Sequence, residues 1–386
     1  MDKLEAVRGS FRILALVGLL AAGPAAAVGG PSQIVIDVDR GTVLSHRLAD
    51  QRWYPASLTK LMTAYVTFRA LKAGQVTPTS AVRVSQHALA QPPSKMGFKV
   101  GTVMNVDNAL KMMLVKSAND IAVAVAETIG GDEPRFVGLM NDNARRLGMA
   151  STHFANANGL PDDRQVTTAR DMAVLARALW LEFPEYRDYF GIAAIKVGKR
   201  VLRTYNTLLE RYRGTNGMKT GYICASGFNI AVSVTRGGRT LVAVVLGADS
   251  SSSRAETAAQ LLNSGFRSWR GATGPMLASF AASAASGPVA NLHDQMCGKR
   301  RAKSEEEADA EPVLAGVARP SALVPRFHVM DPVPVYTGRV SSPSTTVPMP
   351  RLRPPRPEES AATDSVSELP GGESALTGAA PLPLLQ

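Results

Sequence analysis

"FNIAVSVTRGGRTLVAVVLG", residues 228–247, decides the fold. Two runs rich in Val, Ile, Leu and Thr flank Arg236-Gly237-Gly238-Arg239. A short glycine turn between such runs reads as a β-hairpin. Near the other end of the patterned region, "QIVIDVD" (33–39) reads as a strand. Arg40-Gly41 supplies a turn, and "TVLSHR" (42–47) its partner strand. Helical patterns fill the interval between these two hairpins. The expected class is therefore α+β: an antiparallel sheet whose strands come from both ends of the domain, with a helical insertion between them.

The insertion begins with "RWYPASLTKLMTAYVTF" (52–68), an apolar helix opened by Pro55, a residue favoured in a first helical turn. Helix is expected over roughly 106–130, interrupted at "KSAND" (116–120). A further helix covers 135–148 and stops at Gly148. "TARDMAVLARALW" (168–180) starts with a Thr168–Asp171 capping-box pattern. "RAETAAQLLNSGF" closes the region after the hairpin.

The ends of the chain read differently from its middle. Lys3, Arg8 and Arg12, the apolar run 13–22 and Ala25-Ala26-Ala27 form an export-signal pattern, so residues 1–27 are expected to be a signal peptide, cleaved near Ala27. Residues 28–270 are then expected to form the folded domain of a protein exported to the periplasm or cell envelope. Residues 271–386 hold 16 of the 25 prolines, with "SEEEADAE" and "PMPRLRPPRPEE". Such a composition buries too little apolar surface to offset chain entropy, so a largely disordered tail is expected, with 272–298 able to dock on the domain.

The formal charge of +11 is uneven. Residues 271–386 carry 10 Lys+Arg against 12 Asp+Glu, which leaves the excess on residues 1–270. A basic exported domain suits anionic envelope polymers. No nucleic-acid partner is expected, because basic and aromatic residues do not cluster and no binding motif occurs. The two cysteines, Cys224 and Cys297, are too few for a disulfide scaffold or a cysteine-rich metal site. They stand either as one disulfide, which would pin the start of the tail beside the strand after Gly221, or as two thiols. Histidines at 46, 87, 153, 293 and 328 show no metallopeptidase spacing. Neither a metal nor a cofactor is expected. Ser-His-Asp catalysis lacks its G-x-S-x-G elbow.

Ser57 and Lys60 are three apart on a helix and therefore share a face. A serine hydroxyl becomes a nucleophile when a base takes its proton, and a lysine in a suitable environment is such a base. Alone the pair reads as a cap and a solvated lysine. Ser117-Ala118-Asn119, at the break between two helices, and Lys219-Thr220-Gly221, just before the hairpin, change that weighting. In order, S-x-x-K, S-x-N and K-T-G form the signature of the penicillin-interactive serine enzymes.

On "PASLTKLMTAY" (55–65), "SANDIAVAVAE" (117–127), "FANANGLPDDRQVTTARDMA" (154–173) and "GTNGMKTGYICASGFNIAVS" (214–233), the sequence resembles the serine-type D-alanyl-D-alanine carboxypeptidases, low-molecular-mass penicillin-binding proteins. The resemblance covers roughly residues 32–270. It implies a five-stranded antiparallel sheet flanked by helices, plus a mainly helical subdomain, with the site between them. It also implies roles. Ser57 would attack the penultimate D-alanine carbonyl of a peptidoglycan stem peptide, with Lys60 as base. Ser117 would relay a proton to the leaving amine, and Asn119 would hold substrate backbone and Lys60. Lys219 would supply positive potential that favours a neutral Lys60. Thr220, with Gly221 beside it, and Arg254 would grip the terminal carboxylate, a task suited to a planar guanidinium. The N–H groups of Ser57 and Tyr222 would form the oxyanion hole. β-Lactams would be covalent inhibitors.

Three alternatives remain open at this level: a DD-endopeptidase, a β-lactamase-like hydrolase and a non-catalytic wall-binding protein. A class A β-lactamase needs a deacylating glutamate, and "NANGLPDDRQVTTARD" (156–171) has none, so slow release of penicillin is expected. Many relatives carry a β-rich second domain and a C-terminal amphipathic anchor. The ending "GAAPLPLLQ" lacks an amphipathic pattern, so no C-terminal membrane anchor is expected.

Overall fold

The computed structural model describes residues 30–268, 274–281, 285, 287–298 and 321–338. The expected signal peptide, and most of the expected tail, lie outside the described residues.

In chain order the elements are β1 (Ser32–Asp37), β2 (Val43–Arg47), a 3-10 turn (Ala56–Leu58), α1 (Thr59–Lys72), β3 (Ala81–Arg83), α2 (Gln86–Ala90), β4 (Val103–Asn105), α3 (Val106–Val115), α4 (Asn119–Gly130), α5 (Glu133–Arg146) and α6 (Ala169–Glu182). A 3-10 segment (Pro184–Gly191) then leads to β5 (Ala194–Val197), β6 (Arg200–Arg203), α7 (Leu208–Arg211), β7 (Thr215–Ile223), β8 (Gly227–Arg236), β9 (Arg239–Ala248) and α8 (Ser251–Arg267). Two short elements follow: α9 (His293–Met296) and β10 (Val333–Val335).

The main sheet has five antiparallel strands in the order β2-β1-β9-β8-β7. This is the sheet expected from the two hairpins. Arg236 pairs with Arg239, and Gly237 and Gly238 both take positive φ (55° and 72°), the backbone of a two-residue hairpin turn. β8 and β9 are mostly apolar because both faces are covered. Ile230, Val232, Val234, Leu241, Ala243 and Val245 pack toward α8. The alternate residues Ala231, Val242, Val244 and Leu246 pack toward the helical insertion. α1 lies inside that second layer: every residue from Thr59 to Leu71 except Arg69 is buried. A helix apolar on all sides belongs in a core.

Three expectations are refined. Ser57 lies in the 3-10 turn, one turn before α1 begins at Thr59. Asn229 on β8 holds that entry, donating through Nδ2 to Tyr54 O (3.0 Å) and Pro55 O (3.2 Å), and Ala56 takes φ +48°. Only half of the capping box forms at α6. Thr168 Oγ1 accepts from Asp171 N (3.1 Å), but the Asp171 carboxylate turns away to Ser151 N, Thr152 Oγ1 and Arg170 Nη1. Finally, part of the segment after 271 is folded on the body. Leu277 N donates to Gly41 O, and Arg170 donates to the carbonyls of Leu277, Ala278 and Phe280. Residues 321–338 fall within the expected tail, yet β10 pairs with β5 in parallel, and Glu256 accepts from Ser321 Oγ and Ala322 N. These contacts run largely through backbone groups, which leave no trace in composition.

Candidate active site

Lys60 is fully buried, and its ammonium reaches three oxygens. It donates to Ser57 Oγ (2.9 Å), Asn119 Oδ1 (2.8 Å) and Asn158 O (2.6 Å). Three separate segments therefore meet at one nitrogen: the 3-10 turn, the start of α4 and the loop before α6. Ser57 is itself buried, 9% exposed.

The break at "KSAND" is what delivers Asn119. Ser117 takes φ +60° between α3 and α4, a left-handed backbone that ends one helix and starts the next. Asn119 then donates through Nδ2 to Pro92 O (2.9 Å) and through its backbone N–H to Ser94 O (2.8 Å). Asp120 completes the fastening of this wall by accepting from Met96 N (3.0 Å), Gly97 N (2.8 Å) and Ile121 N (2.9 Å). Burial raises the Asp120 carboxyl above its ordinary value, and these N–H groups and Lys95 only partly offset that.

β7 is an edge strand of the sheet and passes beside Ser57. A Cβ added to Gly221 would stand 2.8 Å from Ser57 N and 3.1 Å from Leu58 N, so only glycine allows this approach. The two-residue period puts Lys219 on that same face. Lys219 is buried, and its ammonium donates to Thr220 O (2.9 Å). Thr220 and Tyr222 occupy the opposite face, where the Tyr222 ring lies 4.4 Å from that of Phe228.

Arg254 is 1% exposed, which excludes a surface arginine at a helix start. It donates to Asn229 O (3.4 Å) and Tyr205 O (3.2 Å), and its guanidinium lies 5.6 Å from the Phe228 ring. The sequence reading missed Asn158 and Tyr205 as neighbours of the site. Asn158 acts through its carbonyl, which every residue has. Tyr205 contributes its carbonyl to Arg254 and its hydroxyl to Lys116 Nζ (2.9 Å).

The Cys224 and Cys297 alternative resolves as a disulfide, with Cα atoms 5.7 Å apart.

Residues 21–250 match the family described as D-alanyl-D-alanine carboxypeptidase. The D-alanyl-D-alanine carboxypeptidase DacA of Escherichia coli (strain K12) is 36% identical over 247 residues, covering 62% of this chain and 61% of that protein. The chain thus spans about three fifths of the length of the first curated relatives it matches. Penicillin binding protein 6B from Escherichia coli superposes with a TM-score of 0.59 at 35% identity, over 61% of this chain and 77% of that one. Penicillin-Binding Protein D2 from Listeria monocytogenes, in its cefotaxime-bound form, gives 0.56 at 28% identity, over 61% and 96%. Because the family match takes in more than half of the 386 residues, this chain belongs to the D-alanyl-D-alanine carboxypeptidase family.

Proposed function

We propose that this protein is an exported serine carboxypeptidase that removes the terminal D-alanine from peptidoglycan stem pentapeptides through an acyl-enzyme on Ser57. The observation that carries this reading is the Lys60 ammonium held between Ser57 Oγ and Asn119 Oδ1. When Lys60 is neutral, two N–H groups suffice for Asn119 Oδ1 and Asn158 O, and the lone pair turns to the Ser57 hydroxyl. Lys60 then takes the Ser57 proton as Oγ attacks the penultimate D-alanine carbonyl. The N–H groups of Ser57 and Tyr222 receive the oxyanion, usually a large share of such catalysis. Gly221 supports that role by letting β7 come close. Ser117 passes a proton to the leaving amine. Lys219 supplies positive potential that favours neutral Lys60, and Thr220 and Arg254 hold the terminal carboxylate of the substrate. D-Alanine departs, and water hydrolyses the ester to free the shortened stem peptide and Ser57.

In this reading residues 1–27 are the signal peptide, 28–270 the catalytic domain, and penicillins acylate Ser57 and leave slowly, because the loop 156–171 offers no glutamate for deacylation. The test is labelling by fluorescent penicillin together with release of D-alanine from a pentapeptide. Ser57→Ala should lower kcat by roughly 10⁴-fold or more. Unchanged turnover in that variant rejects the mechanism. Arg254→Ala should reduce turnover most for substrates with a free terminal carboxylate, and equal loss on cross-linked substrates would count against its assigned role.

A further inference from the structure

The Lys60 ammonium donates to Asn158 O at 2.6 Å, and a loop carbonyl is only as well placed as the loop that carries it. Residues 154–160 contain no helix or strand, so the hold on Asn158 must come from side chains. Gln165 supplies much of it. It is 2% exposed, and both halves of its amide are used. Oε1 accepts from Ala155 N (2.7 Å) and Asn156 N (3.0 Å). Nε2 donates to Asn156 Oδ1 (2.9 Å) and Thr59 Oγ1 (3.2 Å). A side-chain amide offers two donors and two acceptor positions, so all four are filled.

These bonds lead in two directions. Thr59 is the first residue of α1 and lies between Ser57 and Lys60. Asn156 carries the hold along the loop: its Oδ1 accepts from Gly159 N (2.8 Å), and its Nδ2 donates to Leu160 O (3.0 Å). Asn158 lies within the turn so closed and is 1% exposed. Other side chains hold the middle of the loop. Thr63 Oγ1 donates to Ala157 O (2.6 Å), Glu133 Oε1 accepts from Ala157 N (3.0 Å), and Gln91 Oε1 accepts from Asn158 Nδ2 (2.9 Å). Gln165 and Asn156 instead close the loop across Gly159, the side that rests on the nucleophile's turn. A Cβ at Gly159 would collide with the Ala56 carbonyl and stand 2.9 Å from Ser57 N.

We infer that Gln165 is a positioning residue: through Asn156 and the loop it sets Asn158 O against Lys60, and so aims the base at Ser57. The inference rests on the peptidase reading. There, neutral Lys60 turns its lone pair to Ser57 once two N–H groups are taken by Asn119 Oδ1 and Asn158 O. A displaced Asn158 carbonyl weakens one of those bonds in a buried site, and the lone pair is no longer held on the Ser57 hydroxyl. Gln165 acts on the chemical step and leaves ligand binding alone.

The experiment follows acylation of the full chain by fluorescent penicillin across a range of concentrations. This separates the saturating rate from the half-saturating concentration. Label per protein and Tm are recorded alongside. Gln165→Met keeps the approximate shape of the side chain and removes all four hydrogen bonds. The saturating rate should fall roughly ten- to a hundredfold, the worth of one hydrogen bond to a charged group, with the half-saturating concentration within about twofold of wild type. A lower Tm and less label, with an unchanged rate for the fraction that labels, is the result of a purely structural role and overturns the proposal. A raised half-saturating concentration at unchanged rate overturns it too, because it marks a binding residue. Asn156→Ala is the second variant, which decides the matter where Gln165→Met does not fold. It cuts the bonds to Gly159 and Leu160 and spares those from Gln165 to Ala155 N and Thr59 Oγ1. It should lower the saturating rate in the same way, and an unchanged rate overturns the proposal. Wild-type protein that takes no label at Ser57 overturns the peptidase reading itself, whereas labelled wild type beside unaltered variants overturns only the role of Gln165.

Discussion

Gly221→Ala isolates the contact on which the proposed oxyanion hole depends. The added Cβ would meet Ser57 N at 2.8 Å, Leu58 N at 3.1 Å and Ala56 Cβ at 3.2 Å. Two of these atoms are backbone and the third is a Cβ, so none can rotate away. A gap of roughly 0.6 Å must open between β7 and the 3-10 turn to restore ordinary van der Waals contact. That shift moves the Ser57 and Tyr222 N–H groups apart. Loss of one oxyanion donor costs about 10² to 10³ in rate, and overpacking costs about 1–3 kcal/mol in stability. The assay is the second-order rate of acylation by fluorescent penicillin, with thermal unfolding measured in parallel. Gly138→Ala is the control: it makes the same chemical change inside α5, where an added Cβ meets nothing within 4 Å. It should stabilise the protein by about 0.5–1 kcal/mol and leave acylation unchanged. Acylation of Gly221→Ala within about threefold of wild type would refute the reasoning, because it would leave the observed close approach without a catalytic consequence.

Lys60→Ala should lower the penicillin acylation rate by roughly 10² to 10⁴, read in the same assay. Arg170→Ala removes the partner of buried Asp171 and three bonds to residues 277–280, so it should cost about 3–5 kcal/mol, seen as a lower Tm and as faster proteolysis near residue 277. Asp120 and Asp171 both have carboxyls raised by burial, Asp171 even beside Arg170, because desolvation outweighs its partners. Folded protein then binds their protons more tightly than unfolded chain does. Their contribution is fully present below the ordinary carboxyl range and is lost as pH rises through the raised values. Denaturant unfolding of Asp120→Asn should accordingly show a shallower fall in stability above about pH 4 than wild type. An identical slope would count against that burial.

The sheet was legible because both hairpins announce themselves locally: Gly237-Gly238 supplies the positive φ that the turn requires, and β-forming runs flank it. The proposed nucleophile and base, Ser57 and Lys60, were legible as a pair because their side chains are reactive and their spacing survives in the sequence, and the structure brings them within 2.9 Å. Asn158 was not legible as a partner of Lys60, since it contributes a carbonyl. The same holds for the carbonyls of residues 277–280 that receive Arg170. Gly221 was visible as a letter of the K-T-G triplet, but the reason for it, a backbone 2.8 Å from an imagined Cβ, exists only after folding.

By itself, then, the sequence determined the α+β class, the hairpins at both ends of the domain and the identity of the residues with reactive side chains. Local propensity and residue chemistry are enough for those. The tertiary structure decided which three oxygens surround the Lys60 ammonium, why β7 must lack a side chain at 221, and that residues 287–298 and 321–338 return to the body. Those outcomes rest on backbone groups brought together across tens to hundreds of residues, and a backbone carbonyl or N–H looks the same at every position until the chain has folded.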